Sequence, residues 1–303
     1  MTIQNETSQP EAKTTRSRDI YQEVTNTIIQ HLESGTAPWH KPWVGGDSNP
    51  FRLPVNAKTT NHYQGINILL LWCAAHKKEF ASNEWATFKQ WKSQNKSIAK
   101  GQKGTQIVYY DILEKEIDDE IKRLPFIKCS TVFNVCQLAD YTPDAPAEEL
   151  PLLVERLEQV EQFVANTKAV IKHAGYGACY KSDTDEIFMP DKNSFIDTEY
   201  STATENYYST LMHELVHFSG HPKRLNRKLG NRFGSNSYAE EELIAELGAA
   251  FLAASLKITN TPKRDHANYL ATWLKVLKQD KHAIVNAASA ASKAVGYLIG
   301  LKE

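Results

Sequence analysis

The stretch TATENYYSTLMHELVHFSGHP, residues 202–222, decides how the second half of the chain folds and what chemistry it can carry. Thr202 and Glu205 are spaced as a capping box, in which each side chain bonds a free backbone N–H at a helix start. Gly220 and Pro222 are residue types that end helices. The stretch therefore predicts a single helix, with the HELVH pattern in its last two turns.

The two histidines of HELVH, His213 and His217, are four residues apart. On a helix they share one face, so both imidazoles can bind the same metal ion. Glu214 lies beside them, where its carboxylate can accept a proton from a water molecule on that ion. The pattern predicts a catalytic Zn²⁺ site with Glu214 as general base, and another divalent transition metal is an open alternative.

A catalytic zinc needs a third protein ligand, and the segment SYAEEELIAELGAAFL (237–252) offers carboxylates on a second predicted helix. Glu242 and Glu246 are four residues apart and share a face of that helix. We expect Glu242 to be the ligand and Glu246 to orient a histidine ligand from behind. The reverse assignment is open, Glu241 is a further candidate, and a solvated acidic helix start is the alternative without a metal.

The charge of the chain is unevenly distributed. The 303 residues have a net charge of −1, but residues 36–110 hold ten basic and three acidic side chains. Residues 111–200 hold nine basic and nineteen acidic side chains. A neutral total made of a basic block and an acidic block indicates two domains with different partners.

The composition excludes several classes of protein. With 41% hydrophobic residues the chain is not globally disordered. The polar N-terminus shows no secretory signal, and no apolar run is long enough to span a bilayer. The four cysteines have no CxxC spacing, so we expect buried thiols in a reducing compartment. These features predict a cytoplasmic protein that does not use a membrane.

The basic block also holds five of the six tryptophans, which lie within the first 91 residues. Aromatic rings can stack on unpaired bases while Lys and Arg neutralise phosphates, so the block predicts a surface for single-stranded DNA. A core position is the alternative for Trp85, and for Trp39 and Trp43 it is as plausible as a ligand contact. The predicted DNA-binding residues are Trp39, Lys41, Trp43, Arg52, Tyr63, Trp85, Lys89, Lys92, Lys100 and Lys103.

Periodicity and turn residues divide the chain into a disordered arm (1–17), an α+β domain (18–141), a linker (142–151) and a mostly helical domain with a small sheet (152–303). The charged segment 114–123 is predicted to be a hairpin tip or a short helix. We expect 186–190 to be an edge strand able to pair with an extended peptide. Helices are predicted at 18–34, 66–80, 82–95, 153–173 and from 202 onward, and strands at 106–112, 126–135, 175–180 and 186–190.

Strings in both halves resemble one family, the ArdC-type antirestriction proteins of conjugative plasmids. The first half has PWHKPW (38–43), PVN (54–56), YQGIN (63–67), TFKQW (87–91), KGQKGT (100–105) and VFNVCQ (132–137). The second half has DEIFMP (185–190), YYSTLMHELVHFSGHPKRLNR (207–227) and EELIAELGAAFL (241–252). The resemblance covers about residues 18–300, and only the acidic 114–123 stretch matches nothing expected of the family.

The resemblance implies an α+β fold, with an N-terminal domain that binds single-stranded DNA and a C-terminal zincin-like metallopeptidase domain of gluzincin type. It implies protection of incoming plasmid DNA from host restriction during conjugation. It also implies a metal site formed by His213, Glu214, His217 and the EELIAE segment, but it does not decide which carboxylate binds.

Three functions remain to be separated at this point. The chain could protect DNA by binding it, it could be a protease for DNA-associated proteins with the N-terminal domain as recruiter, or it could bind DNA and carry an inactive zincin. Host restriction proteins and other DNA-bound proteins are the possible peptide substrates. The intact HExxH pattern argues against the inactive form.

Overall fold

The computed structural model describes residues 19–34, 37, 39, 52–117, 120–142, 153–175, 177–198, 201–229, 236–258 and 266–302. The predicted arm (1–17) and nearly all of the predicted linker (143–151) lie outside these ranges. Within them, no helix is both long and apolar enough to cross a membrane. The α-helices are α1 (Ile20–Glu33), α2 (Ile66–Lys77), α3 (Phe88–Ser93), α4 (Leu153–Thr167), α5 (Ala203–Ser219), α6 (Asn236–Leu256), α7 (His266–Gln279) and α8 (Ala283–Gly300). The strands are β1 (Val55–Asn56), β2 (Glu84–Thr87), β3 (Thr105–Ile117), β4 (Glu120–Asn134), β5 (Val170–His173), β6 (Cys179–Lys181) and β7 (Glu186–Met189).

The first half of the chain contains a four-stranded sheet in the order β1-β2-β4-β3. The β1–β2 pair is parallel, and the other pairs are antiparallel. The β3–β4 pair runs without interruption from Thr105 opposite Val132 to Ile117 opposite Glu120. The acidic 114–123 stretch is therefore the end of a long β-hairpin, as one of the two alternatives predicted, and both strands extend further than the apolar pattern indicated.

The helix predicted at 82–95 is wrong in its first half. Glu84–Thr87 form strand β2, and its Trp85 and Ala86 are buried in the sheet core. The helix begins only after Thr87, which forms a capping box with Gln90. The burial of two consecutive residues against both faces of the sheet outweighs the helical spacing of the sequence.

The helix predicted at 153–173 ends at Thr167. Lys168 has a φ of 53°, a left-handed conformation that stops a helix. The following β-branched pair, Val170 and Ile171, begins strand β5 instead. The chain is thereby returned to the sheet that lies against the HELVH helix.

The second sheet has the order β5-β7-β6, so the strand predicted as an edge, β7, is the central one. β7 pairs in parallel with β5 and antiparallel with β6. The prediction that 186–190 could pair with a peptide is wrong, because both sides of its backbone are already hydrogen-bonded. Ile187 and Met189 alternate into the core, which explains why the strand is central.

The HELVH helix forms as predicted. In the capping box the Glu205 N–H donates to Thr202 Oγ1 at 3.2 Å, and the Thr202 N–H donates to Glu205 Oε2 at 3.1 Å. Helix α6 packs closely on α5 at Gly248, where a Cβ atom would lie 2.6 Å from Val216 Cγ2. The missing side chain lets the two helices approach, and this contact sets the distance between the residues they carry.

The two halves of the chain share one hydrophobic core. Trp39 lies against Trp273 with ring centroids 6.0 Å apart, and Trp72 of α2 lies against Phe251 of α6 at 5.7 Å. The Gly65 N–H before α2 donates to Ser292 Oγ of α8 at 2.8 Å. The α+β class and the mostly helical second half with a small sheet are confirmed.

We predict that Trp72→Ala lowers the free energy of unfolding of the whole chain by about 3–5 kcal/mol, because it removes a large buried ring from the shared core. Urea denaturation followed by circular dichroism measures this change. Ile196→Ala, at a side chain that is 62% exposed, is the control and should change stability by less than about 0.5 kcal/mol. A separate second-half transition that Trp72→Ala does not shift would contradict the shared core.

Candidate metal centre

Helices α5 and α6 bring three side chains that could hold a metal ion to one point. His213 and His217 come from α5 and Glu242 from α6, and their ligand atoms all lie within 4.8 Å of one another. The two Nε2 atoms are 3.1 Å apart. Glu242 Oε2 is 3.5 Å from His213 Nε2, and Glu242 Oε1 is 3.4 Å from His217 Nε2.

These separations fit a small metal ion. Ligand atoms placed tetrahedrally at about 2.0–2.2 Å from zinc are about 3.3–3.6 Å from each other. The set of two imidazole nitrogens and one carboxylate oxygen suits zinc and related transition metals. The three side chains therefore fit a zinc ion or a related metal ion, with Glu242 in the position of the third ligand.

The site is largely buried, with His213 and Glu214 each 2% exposed and Glu242 8% exposed. Burying ionised groups is costly unless they are paired or bind a metal. Glu214 follows His213 directly on α5, and its charge acts on His217. The centre is thus a buried group of charges arranged around one point.

A second layer of carboxylates lies behind the two histidines. Glu241 Oε1 is 3.2 Å from Nδ1 of His217, and Glu246 Oε1 is 3.7 Å from Nδ1 of His213. The His213 Nδ1 atom makes no hydrogen bond with any described residue. Glu246 thus lies behind a histidine, where we expected it, while Glu241 supports the other histidine, which the sequence analysis did not foresee.

The pKa values show that this environment favours positive charge. Burial by itself lowers the pKa of His217, but hydrogen bonds with Glu241 and Glu242 and the charge of Glu214 raise it to about 10. Burial raises the pKa of Glu242, but the two histidines hold it well below its usual range. A site that stabilises a cation among its own carboxylates is electrostatically suited to a divalent metal.

The basic block is organised differently from the sequence prediction. Trp39 and Trp85 are fully buried, Trp39 against Trp273 and Trp85 against Phe80. Their prediction as DNA-binding residues is wrong, because a ring enclosed in the core cannot stack on a base. Lys41 and Trp43 lie outside the described residues.

The other predicted DNA-binding residues divide into two groups. Arg52 and Tyr63 are half-buried, and the Tyr63 hydroxyl donates to the Trp85 carbonyl at 3.3 Å. The lysines of the prediction are all exposed: Lys89, Lys92, Lys100 and Lys103. Among the described residues, the predicted surface thus keeps these four lysines and loses Trp39 and Trp85.

One exposed aromatic ring was missed. Phe88 is 55% exposed and stands next to Lys89 at the start of α3. Phe88 lies within the helix predicted at 82–95 and is absent from the predicted DNA-binding residues. Only the capping by Thr87 could have shown that Phe88 begins a new element.

Two protein families match this chain, one in each half. Residues 18–133 match the N-terminal domain of anti-restriction factor ArdC, and residues 158–290 match a zincin-like metallopeptidase family. The metal-free crystal structure of antirestriction protein ArdC from plasmid R388 is similar, with a TM-score of 0.78 and 35% identity over 93% of this chain and 97% of that one. The chain belongs to the ArdC family of antirestriction proteins.

Three further proteins are similar to this ArdC-family chain. The Mn(II)-bound R388 ArdC structure has a TM-score of 0.73 and 34% identity, over the same shares of both chains. Protein y4eC of Sinorhizobium fredii is 36% identical over 92% of this chain and 91% of its own length. DNA primase TraC of Escherichia coli is 33% identical over 94% of this chain, which spans only 27% of TraC.

We predict that Glu242→Gln removes measurable Zn²⁺ binding, since the amide oxygen is a neutral and weaker ligand than the carboxylate. Glu246→Gln should lower the affinity by about 10–100-fold, as expected for a residue that supports a ligand. Titration calorimetry with a competing chelator measures both. Glu240→Gln, the same change at an exposed position of α6, is the matched control. The ligand assignment fails if Glu242→Gln binds zinc as the control does.

Proposed function

We propose that this protein protects incoming plasmid DNA during conjugation by binding single-stranded DNA, and that its metal centre hydrolyses peptide bonds. Membership in the ArdC family supports the antirestriction role. The observation that carries the enzymatic part is the convergence of His213, His217 and Glu242 beside the buried Glu214. An inactive zincin would have no need of this complete set.

The proposed metal is Zn²⁺, held by His213, His217 and Glu242. Two nitrogens and one carboxylate oxygen are a ligand set of catalytic zinc sites. Mn²⁺ is the second candidate for this chain, because a structure of R388 ArdC contains Mn(II).

In the proposed hydrolysis, a bound zinc ion supplies Lewis-acid polarisation of the scissile carbonyl and lowers the pKa of water. Glu214 accepts the proton of the attacking water on its carboxylate and later delivers it to the leaving amine. Its burial strengthens the electrostatic interactions around it. Glu241 holds the His217 imidazole from behind, and Glu246 lies 3.7 Å behind Nδ1 of His213, so that both Nε2 atoms face the metal position.

Strand β6 is the proposed docking edge for an extended peptide. It lies at the edge of its sheet, and no described strand pairs with its outer side. Its central residue, Tyr180, contacts the ring of Phe218 on α5, one residue after His217, with centroids 6.0 Å apart. A peptide paired with β6 would therefore lie along the helix that carries the histidines.

The proposed DNA surface, here called the α3 face, consists of Lys58, Phe88, Lys89 and Lys92. Lys58 Nζ donates to Ser93 Oγ at 2.9 Å, which joins the loop after β1 to α3. Lys89 and Lys92 are exposed and form no ion pair with any described residue. An exposed ring among unpaired lysines can stack on a base while the lysines neutralise phosphates.

We place the protein in the cytoplasm, supported by four cysteines that form no disulfide. Burial raises the pKa of the Cys73 thiol to about 12, so this thiol stays protonated and inert. Cys179 is exposed and Cys129 and Cys136 are half-buried, so the expectation of buried thiols is wrong for these three.

We predict that Phe88→Ala weakens binding of a single-stranded oligonucleotide by about 5–150-fold, the loss of one stacked base. The salt dependence should remain unchanged, because no charge is lost. Lys89→Gln with Lys92→Gln should instead reduce the slope of log affinity against log salt, by about 0.7 for each lost phosphate contact. Fluorescence anisotropy over a range of salt concentrations measures both.

Lys275→Gln on α7 is the matched charge control for these lysines, since it is exposed and lies far from α3 in the sequence. Equal losses in this control and in the Lys89/Lys92 variant would refute the α3 face. Affinity of the wild-type protein that does not respond to salt would refute the electrostatic argument altogether.

We predict that Glu214→Gln lowers kcat for peptide hydrolysis by about 10²–10⁴-fold, because the general base is lost. Single-stranded DNA binding should be unchanged. Peptide cleavage is measured on a casein or peptide-library substrate, and antirestriction by conjugation into a restricting host. Antirestriction that survives this change would assign protection to DNA binding, whereas its loss would favour a protease that acts on DNA-associated proteins.

A further inference from the structure

Arg227 lies in the loop after α5 and joins the end of that helix to the start of α6. Its side chain is 12% exposed. Nη2 donates to the Val216 carbonyl at 2.6 Å, and Nη1 donates to Ser219 Oγ at 2.9 Å. Nε and Nη2 donate to the two carboxylate oxygens of Glu241 at 3.1 and 2.8 Å. A planar guanidinium held at four points has a single orientation.

Glu241 passes this orientation on to a metal ligand. The oxygen that accepts from Arg227 Nη2, Oε1, is also 3.2 Å from His217 Nδ1. A carboxylate in that position accepts a hydrogen bond from Nδ1–H, which leaves the Nε2 lone pair of His217 for the metal. The guanidinium, the carboxylate and the imidazole therefore form a continuous chain that ends at the metal position.

We propose that Arg227 is a positioning residue of the metal centre, acting through Glu241 to fix the ring and the tautomer of His217. This proposal rests on the proposed function, in which His217 binds the metal. His213 has no equivalent support, because its Nδ1 is 3.7 Å from Glu246, beyond hydrogen-bonding distance. His217 is thus the preorganised ligand of the pair.

The Arg227 guanidinium packs against the backbone of Gly220, where a side chain would occupy its space. The Arg227 N–H donates to the Gly220 carbonyl at 2.9 Å, which folds the loop back over the end of α5. A Cβ atom at Gly220 would lie 2.9 Å from Arg227 Nη2 and 2.7 Å from Leu229 Cδ2. A side chain at position 220 would push the guanidinium out of its four hydrogen bonds.

The loop contains a matched control in Arg224. This residue pairs with Asp185 through both carboxylate oxygens, and its guanidinium lies over the ring of Phe218 at 3.5 Å. Like Arg227 it is mostly buried, and it ties the same loop to the protein. Arg224 contacts Asp185 and Tyr180 at the small sheet and Phe218 of α5. Arg227 instead contacts Glu241 of α6.

The test measures Zn²⁺ affinity of the full chain by competition with a chelator, together with stability of the metal-free protein. Arg227→Gln should lower the affinity by about 10–100-fold. Arg227→Lys should lower it by less, since lysine keeps the positive charge but loses the paired N–H donors of the guanidinium. Arg224→Gln should lower stability and leave zinc affinity within about twofold of wild type, because Arg224 bonds Asp185, Tyr180 and the Phe218 carbonyl rather than Glu241. Gly220→Ala should weaken zinc binding in the same direction as Arg227→Gln.

Two further readouts separate positioning from general support. In a Glu241→Gln background, Arg227→Gln should cause no additional loss, because both act through one chain of contacts. In zinc-loaded protein, ¹H–¹⁵N spectra should show the Nδ1–H of His217 exchanging slowly with solvent, and this exchange should be faster in the Arg227 variants.

Unchanged affinity in Arg227→Gln, a loss equal to that in Arg224→Gln, or full additivity with Glu241→Gln would each overturn the proposal. If Arg227→Gln does not fold, the Arg227→Lys variant decides by the same criteria. Wild-type protein that binds no zinc would instead refute the proposed metal centre, which keeps the two failures distinguishable.

Discussion

The structure depends on compensating one large free-energy cost, the burial of several carboxylates and two imidazoles between α5 and α6. Such groups remain buried only where they compensate each other or a metal ion. The compensation requires the two helices to lie very close, and Gly248 against Val216 permits this approach. The pKa of His217, raised to about 10 by its acidic neighbours, is the electrostatic result of that contact.

The same helix connects the metal centre to the first half of the chain. Helix α6 carries Glu241 and Glu242 near its start and Phe251 further along, where Trp72 of α2 packs on it. The part that we propose to bind DNA and the part that we propose to cleave peptides are therefore built on one core. Exchange of either part alone would expose large aromatic surfaces, so the two functions are tied by packing as well as by chain connectivity.

The arrangement of the two histidines follows from local spacing. Four residues on a helix place His213 beside His217 whatever the rest of the chain does. The predictions about tryptophans at 39 and 85 failed, because burial is a property of the whole fold. Phe88 shows the converse, since only the strand before it leaves that ring exposed.

The sequence alone determined the helix of HELVH, its caps, the acidic segment that we propose to supply the third ligand, and the family strings in both halves. These depend on contacts within a few residues of one another. The tertiary structure alone decided that Glu242 faces the histidines, that Glu241 joins His217 to Arg227, and that β7 is central. Each of these depends on how distant elements pack, because rotation of α6 by a single residue, about 100°, would exchange the roles of its neighbouring glutamates.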